Sequence, residues 1–180
     1  MKVISVGEKY PRIFRKQDHI NREDLAGEHP YGDSGQIIAL ITFLAMWIFD
    51  SFIFRVSTFL TGYLSLYIRL ILAAVCFVIA GFLARSGLRA VFRQVPDPPR
   101  VINTGVFSYL RHPIYSATLL LYLGFFFTTL SLISLAFLVV IFIFYDYLAT
   151  FEEKQLGQKF SQEYLNYKDK TPKWFPRLRS

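Results

Sequence analysis

The sequence predicts an all-α integral membrane protein with about four transmembrane helices, the last two of which form a tight helical hairpin. Of the 180 residues, 53% are hydrophobic, and the mean hydropathy is +0.36. The apolar residues form long blocks, whereas the core of a soluble domain is built from apolar residues spaced along each element. Most Lys and Arg residues lie outside these blocks, where lipid headgroups would meet them.

The first two apolar blocks each have the length of one transmembrane helix. They run from about residue 35 to 54 and from about residue 63 to 84, and each contains one charge, Asp50 or Arg69. A charge within lipid is costly unless it is paired or close to the interface. Two interpretations therefore stay open. Both charges lie at headgroup depth, with Arg69 snorkelling, or they make a polar contact between the two helices.

The third block, residues 114–149, is too long to be one transmembrane helix. Its 36 residues contain a single charge, Asp146. A straight helix of that length would measure about 54 Å, against roughly 30 Å for the hydrocarbon core. The polar sequence Thr128–Thr129–Leu130–Ser131 lies near its middle, so we predict that the chain folds back there into two short helices.

The distribution of Lys and Arg predicts the orientation in the membrane. Six precede the first span, one lies between the first two spans, five lie in residues 85–113 and seven follow Phe151. By the positive-inside rule, both termini and the 85–113 loop are expected in the cytoplasm. The formal net charge of +7 is then explained by anionic membrane lipids, and we expect no nucleic-acid partner.

Three segments follow from these boundaries. Residues 1–34 form a cytoplasmic N-terminal extension without the apolar core of a signal peptide, residues 35–84 form two transmembrane helices, and residues 85–180 contain the helical hairpin 113–150 and a cytoplasmic tail. The single cysteine, Cys76, permits no disulfide within the chain.

The loop before the hairpin begins with regularly spaced arginines. Arg85, Arg89 and Arg93 recur at i, i+4 spacing beside Leu88, Val91 and Phe92, which predicts an interfacial helix on anionic headgroups. The prolines at positions 96, 98 and 99 then end that helix.

The pentapeptide RHPIY, residues 111–115, opens the first helix of the hairpin. Pro113 suits the first helical turn. His112 stands at the helix start, where backbone N–H groups favour anions, and Tyr115 lies three residues further on the same face. Arg111 has a simpler interpretation as an interfacial anchor.

A pair of carboxylates, Glu152 and Glu153, follows the second helix of the hairpin. The spacing of Leu156, Phe160, Tyr164 and Tyr167 predicts that this helix continues along the surface with one dry side. A tight hairpin makes its two open ends neighbours, so the pair should converge with Arg111, His112 and Tyr115. The alternative is a solvated helix face on which the two Glu side chains form surface ion pairs with Lys154 and Lys159.

The stretches VINTGVFSYLRHPIY (101–115) and EEKQLGQKFSQEYLNYKDKTPKWFP (152–176) resemble the signature of the isoprenylcysteine carboxyl methyltransferase and phospholipid methyltransferase superfamily. The resemblance covers about residues 85–178. It implies that S-adenosylmethionine is the methyl donor, and that the cytoplasmic loop and the C-terminal helix form the cofactor pocket. The cofactor-binding residues that it implies are Pro99, Arg100, Val101, Ile102, Phe107, His112, Pro113, Ile114, Tyr115 and Glu152.

Several positions depart from the superfamily pattern. Val106 and Phe107 stand where Pro and Tyr are common, and Ser161 replaces a usual Gly. Leu148 replaces the Arg that contacts substrate in members that methylate a prenylated cysteine, so a prenylcysteine carboxylate loses its expected partner. The implied acceptor is a lipophilic or lipid-linked molecule in the membrane, and it can be an isoprenylcysteine-like carboxylate, a phospholipid amine or a small thiol.

The chemistry of methyl transfer suggests further roles. Rings at Phe107, Tyr109 and Tyr115 can stabilise a sulfonium cation. An amine or thiol acceptor must lose a proton, and Asp146, just inside the hairpin exit, is a candidate base or cation partner. Asp146 and Arg111 are therefore the candidate catalytic residues.

Two other classes of function stay open. A membrane reductase with a nicotinamide cofactor shares a His-Pro-x-Tyr helix start, but usually has Asn where this chain has Ile114. A non-catalytic membrane protein could retain the scaffold. A metal centre is not supported, because three scattered His and one Cys show no ligand spacing.

Overall fold

The computed structural model describes residues 32–93 and 100–176, and the regular structure of those residues is helical. Helix α1 spans Gly32–Ile48 and passes into a π-helical segment, Phe49–Phe54. A short 3₁₀ turn, Phe59–Gly62, precedes α2, Leu66–Arg93. A second 3₁₀ turn, Gly105–Ser108, precedes the hairpin of α3, Pro113–Thr129, and α4, Leu132–Lys170. Most of the expected N-terminal extension lies outside the described residues.

Three helical stretches are long and apolar enough to cross a membrane, namely Gly32–Phe54, Leu66–Phe92 and Leu132–Lys170. The fourth apolar helix, α3, has 17 residues and is about 26 Å long. The prediction of an all-α membrane protein with about four such helices is confirmed. Large exposed side chains such as Ile37, Ile41 and Ile71 give the outer surface of α1 and α2 its apolar character.

Helix α2 is longer than the sequence predicts. It continues without a break to Arg93, so the helix predicted around Leu88, Val91 and Phe92 is present as the last turns of α2, and its position on anionic headgroups stays a prediction. Its 28 residues measure about 42 Å, which exceeds the hydrocarbon thickness by roughly two turns. Arg85 and Arg89 are exposed on this extension. Gly81 and Gly87 do not end the helix, and the first proline after residue 84 is Pro96.

Helices α2 and α3 pack through small residues. Ala73, Cys76 and Ala80 are buried on one stripe of α2. A Cβ on Gly124 would clash with the Phe77 ring, and one on Gly87 would lie 2.8 Å from Cγ1 of Ile114. Small residues let two helices approach closely in a membrane, where dispersion contacts drive association.

The fold-back predicted at Thr128–Ser131 is present. Leu130 has a left-handed backbone (φ 49°) at the end of α3, and the Ser131 hydroxyl caps α4 by accepting from Ser134 N at 3.1 Å. We refer to this end of the bundle as the turn end, and to the opposite end, which carries His112, as the site end.

Both intramembrane charges bind at the turn end. Asp50, 3% exposed, accepts a hydrogen bond from Ser57 N at 3.0 Å and further bonds from the hydroxyls of Ser57 and Ser131. The Arg69 guanidinium donates to the Thr128 carbonyl at 3.0 Å. Of the two interpretations left open, the polar contact between spans one and two is not the one seen, because Asp50 and Arg69 each bind the hairpin turn. The headgroup depth of both charges stays a prediction.

Helix α4 reverses direction at Ser161, whose backbone (φ 44°, ψ −119°) is not helical. Lys168 Nζ lies 3.3 Å from Glu153 Oε2, whereas 15 residues of straight helix would separate them by about 22 Å. Residues 132–160 and 162–170 are thus two antiparallel arms, which we call the long arm and the return arm. The predicted continuation of this helix and its dry side, at the buried Tyr164 and Tyr167, are present, but the reversal at Ser161 was not predicted.

Replacing Asp50 should weaken the turn end. Asp50→Leu leaves the three donors of Ser57 and Ser131 without their acceptor, which should cost roughly 3 kcal/mol and lower the melting temperature in detergent. Asp50→Asn keeps one carbonyl oxygen and should lose less. Asp33→Asn, at an exposed site in α1, is the control. A melting temperature for Asp50→Leu equal to that of the control would show that the hydrogen bonds to Asp50 do not stabilise the turn end.

Ser161→Gly should stabilise the protein. The backbone of Ser161 lies in a region that glycine adopts far more easily than residues with a Cβ, so glycine should raise the free energy of unfolding by about 1 kcal/mol. Ser161→Ala removes the same hydroxyl but keeps the Cβ, and it should give no gain. Thermal melting of both variants in one detergent tests the expectation, and a rise with alanine as large as with glycine would refute it.

Candidate active site

The site end is built where α3 begins and the long arm of α4 leaves the apolar block. His112 is the residue before the first helical turn of α3, and Pro113 occupies the first position, where no backbone donor is needed. The His112 carbonyl accepts from Ser116 N at 3.0 Å. The hairpin brings the start of α3 close to residues 146–153 of α4, so these two segments face each other.

Glu153 is the most tightly held group of the site. Its side chain is 6% exposed and contacts Arg111 Nη1 at 2.9 Å, His112 Nε2 at 3.1 Å and Lys168 Nζ at 3.3 Å. A buried carboxylate requires such partners, because an unpaired charge costs several kcal/mol. Glu153 thereby fixes the residues that precede α3 and the return arm of α4 to one point.

Glu152 points to a less buried side. Its side chain is 18% exposed, it accepts a hydrogen bond from the Tyr115 hydroxyl, and its Oε2 lies 3.6 Å from His112 Nδ1. The rings of His112 and Tyr115 are nearly parallel, with centroids 5.7 Å apart. The predicted convergence of Arg111, His112 and Tyr115 with the two carboxylates is thus present, while their roles stay predictions.

His112 lies in an environment that favours the neutral ring. Burial lowers the pKa of the imidazole, and the Glu153 carboxylate opposes that lowering. At neutral pH the ring therefore carries one N–H. The shorter contact, from Nε2 to Glu153, is the one that this N–H best satisfies.

The loop residues that the resemblance assigns to the cofactor lie along the return arm. Val101 N donates to Glu163 Oε1 at 3.2 Å. The carbonyl of Phe107, in the 3₁₀ turn where Gly105 adopts φ 62°, accepts from the Tyr167 hydroxyl at 2.7 Å. Ile102 is half-buried and Arg100 exposed. Pro99 lies outside the described residues.

Two further predicted residues have mainly packing contacts. Pro113 and Ile114 lie against α2, where a Cβ on Gly87 would meet both side chains. The loop group and the hairpin group are linked through the backbone of Arg111, whose N–H donates to the Pro172 carbonyl at 3.0 Å. The return arm and the segment after it therefore connect both halves of the predicted site.

On the long arm, Leu148 lies about one turn before Glu152, and Asp146 lies nearly two turns before it. Leu148 is 1% exposed, so its side chain faces the protein interior. Asp146 Oδ1 accepts from Lys173 Nζ at 2.6 Å and from Trp174 Nε1 at 2.8 Å. Asp146 is thus paired with Lys173 within the protein, and its candidate role in methyl transfer, as a base or a cation partner, stays a prediction.

Sequence reasoning missed three residues at the site end. Lys168 binds Glu153, and Lys173 and Trp174 bind Asp146. All three lie within the tail stretch 152–176 that resembles the superfamily, which was the available signal. Their contacts depend on the reversal at Ser161, and helical periodicity alone does not reveal that reversal.

A comparison with protein families finds one described as phospholipid methyltransferase, whose model matches residues 58–163, more than half of the chain. The match covers α2, α3 and the long arm of α4, including His112, Tyr115 and both carboxylates of the site. Helix α1 and the residues after Glu163 lie outside it. No curated protein and no solved structure matches the chain.

Replacing the two neighbouring glutamates should have unequal effects on stability. Glu153→Gln removes the charge that Arg111 and Lys168 face, and breaking a buried pair should cost about 3 kcal/mol. Glu152→Gln keeps an acceptor for the Tyr115 hydroxyl on a more exposed side chain and should cost less than about 1 kcal/mol. Melting temperatures in one detergent measure the difference. Similar losses in the two variants would show that Glu153 does not hold the site end together.

Proposed function

Because this chain belongs to the phospholipid methyltransferase family, we propose that it transfers a methyl group from S-adenosylmethionine to a lipophilic acceptor in the membrane. The family match and the apolar helices identify a membrane methyltransferase. The donor and the acceptor belong to the proposal. The observation that carries it is the meeting of His112 and Tyr115 with Glu152 at the site end, within the matched residues. Family membership favours methyl transfer over the reductase and the non-catalytic alternatives.

The residues present fit S-adenosylmethionine in their chemistry. The part-exposed Glu152 carboxylate can accept hydrogen bonds from an amine or from ribose hydroxyls. The Tyr115 ring beside it can stabilise a cation. When bound, the cofactor supplies an electrophilic methyl group on a positively charged sulfur. The proposed binding residues are Arg100, Val101, Ile102, Phe107, His112, Pro113, Ile114, Tyr115 and Glu152, together with Pro99 outside the described residues.

The two glutamates have different proposed roles in the site. Glu153 is matched by Arg111 and Lys168, so its charge is used within the protein. Glu152 lies on the more open side, where the Tyr115 hydroxyl donates to it. We assign ligand binding to Glu152 and positioning to Glu153. The Arg111 guanidinium bonds to Glu153, which supports a positioning role for Arg111 in place of the predicted catalytic one.

The site end offers limited support for a carboxylate acceptor. Leu148 is apolar and faces the interior, so it provides no cation for such an acceptor. The absence of charge at residue 148 favours an amine or a thiol as the acceptor. Either acceptor must lose its proton before or during transfer. The proposed orientation places the site end in the cytoplasm, because the basic residues of 85–113 and of the tail lie at that end.

Binding and transfer assays test the proposal. Isothermal titration of the purified protein in detergent should show binding of S-adenosylmethionine and none of a nicotinamide cofactor. Radiolabelled methyl groups should pass to total membrane lipid or to small prenyl thiols. Absence of both binding and transfer would overturn the methyltransferase proposal, and binding of the nicotinamide cofactor instead would favour a reductase.

Variants assign the binding to the site. Glu152→Gln should weaken S-adenosylmethionine binding by roughly tenfold or more, because it removes a charged acceptor, while the melting temperature changes little. Asp169→Asn, at an exposed position of the return arm, is the matched control and should bind as the wild type does. Equal affinity of Glu152→Gln and the wild type would remove Glu152 from the cofactor site.

A further inference from the structure

We propose that residues 171–174 form a strap, anchored by Asp146, which holds Arg111 and His112 in place, and that Asp146 is a positioning residue of the site. The inference rests on the proposed methyl transfer for its functional meaning. The strap lies beyond Glu163, outside the part of the chain that matches the family. It replaces the interpretation of Asp146 as a base.

The anchor of the strap is a small network on the long arm of α4. Asp146 Oδ1 accepts from both Lys173 Nζ (2.6 Å) and Trp174 Nε1 (2.8 Å). Lys173 Nζ also donates to the Thr150 hydroxyl at 2.8 Å and to the Asp146 carbonyl at 3.2 Å. A single exposed ion pair contributes little, whereas several charge-assisted bonds that share donors restrict geometry. The network therefore fixes two consecutive residues of the strap.

The other side of the strap contacts the residues that precede α3. The Pro172 carbonyl accepts from Arg111 N at 3.0 Å. The Trp174 ring lies with its centroid 6.0 Å from that of His112 and 5.3 Å from that of Phe142. Thr171 is 4% exposed, so the strap begins inside the protein and not on its surface. The strap thus bridges the long arm and the helix start of α3.

Arg111 and His112 are consequently held from two directions. Glu153 binds the Arg111 guanidinium and the His112 ring, and the strap binds the Arg111 backbone and packs beside the same ring. Loss of the Asp146 anchor would leave the first restraint and remove the second. A displacement of about 1 Å at a site can reduce the rate by as much as a hundredfold, so the effect should appear in binding and turnover more than in stability.

The geometry argues against a base role for Asp146. Its Oδ1 already accepts from an ammonium and from an indole N–H. A carboxylate with such donors is stabilised in its charged form and takes up a substrate proton less readily. The atoms that Asp146 contacts are those of the strap.

Three substitutions at one position separate the two roles. With a positioning role, Asp146→Ala should lower kcat/KM by roughly ten- to a hundredfold, with weaker S-adenosylmethionine binding. Asp146→Asn keeps an oxygen acceptor for Trp174 and should retain much of the activity, and Asp146→Glu should be intermediate. The pH–rate profile should keep its shape in all three. With a base role, Asn would be as inactive as Ala, cofactor affinity would be unchanged, and the acid limb of the profile would disappear, which would overturn the proposal.

Trp174 gives a readout that does not depend on turnover. The chain has two tryptophans, so in a Trp47→Phe background the emission reports Trp174 alone. Asp146→Ala in that background should shift the emission to the red, while Asp169→Ala should not. Trp174→Phe, a milder change, should reproduce part of the loss in kcat/KM, and the double variant with Asp146→Ala should lose less than the sum of the two effects.

The two proposals fail in different ways. If the wild-type protein binds no S-adenosylmethionine, the proposed function fails, yet the emission of Trp174 still tests the strap. An unchanged emission in Asp146→Ala, or fully additive effects of Asp146→Ala and Trp174→Phe, would refute the strap even if methyl transfer is established.

Discussion

The buried carboxylate of Glu153 is the interaction on which the site end depends. It joins Arg111 and His112, which precede α3, to Lys168 on the return arm. In a water-poor environment a carboxylate is tolerated only with such partners, and each partner is fixed because the carboxylate is fixed. Glu152, its neighbour in the chain, is therefore presented at a defined angle to Tyr115.

The reversal at Ser161 makes this arrangement possible. Without it, Lys168 would lie far from Glu153, and the segment with Trp174 could not return to Asp146. The unfavourable backbone of Ser161 is compatible with the fold because the contacts of the return arm outweigh a local cost of about 1–3 kcal/mol. Local strain at one residue thus permits a compact polar site from a single long helix.

The parts of the fold that depend on length and composition could be predicted from the sequence. The block 114–149 exceeds the hydrocarbon thickness, so the fold-back and the meeting of His112 with the two glutamates followed from the connection alone. The partners of Asp50 and Arg69 did not follow, because a charge in an apolar block carries no information on which neighbour it meets. The reversal at Ser161 was also missed, because hydrophobic periodicity does not mark a single residue with a non-helical backbone. The only signal was that the superfamily pattern usually has glycine at this position.

The hydrogen bonds at the turn end also determine which residues meet at the site end. Asp50 holds Ser131, and Trp47 and Ser51 hold the Thr129 hydroxyl at 3.0 and 2.8 Å. These bonds fix where α4 begins relative to α3. A slip of one residue along α4 would move every later side chain by about 1.5 Å and rotate it by about 100°. Such a slip would carry the two glutamates away from His112. A hairpin in lipid has few directional contacts between apolar side chains to prevent this, so polar groups at both ends set its register.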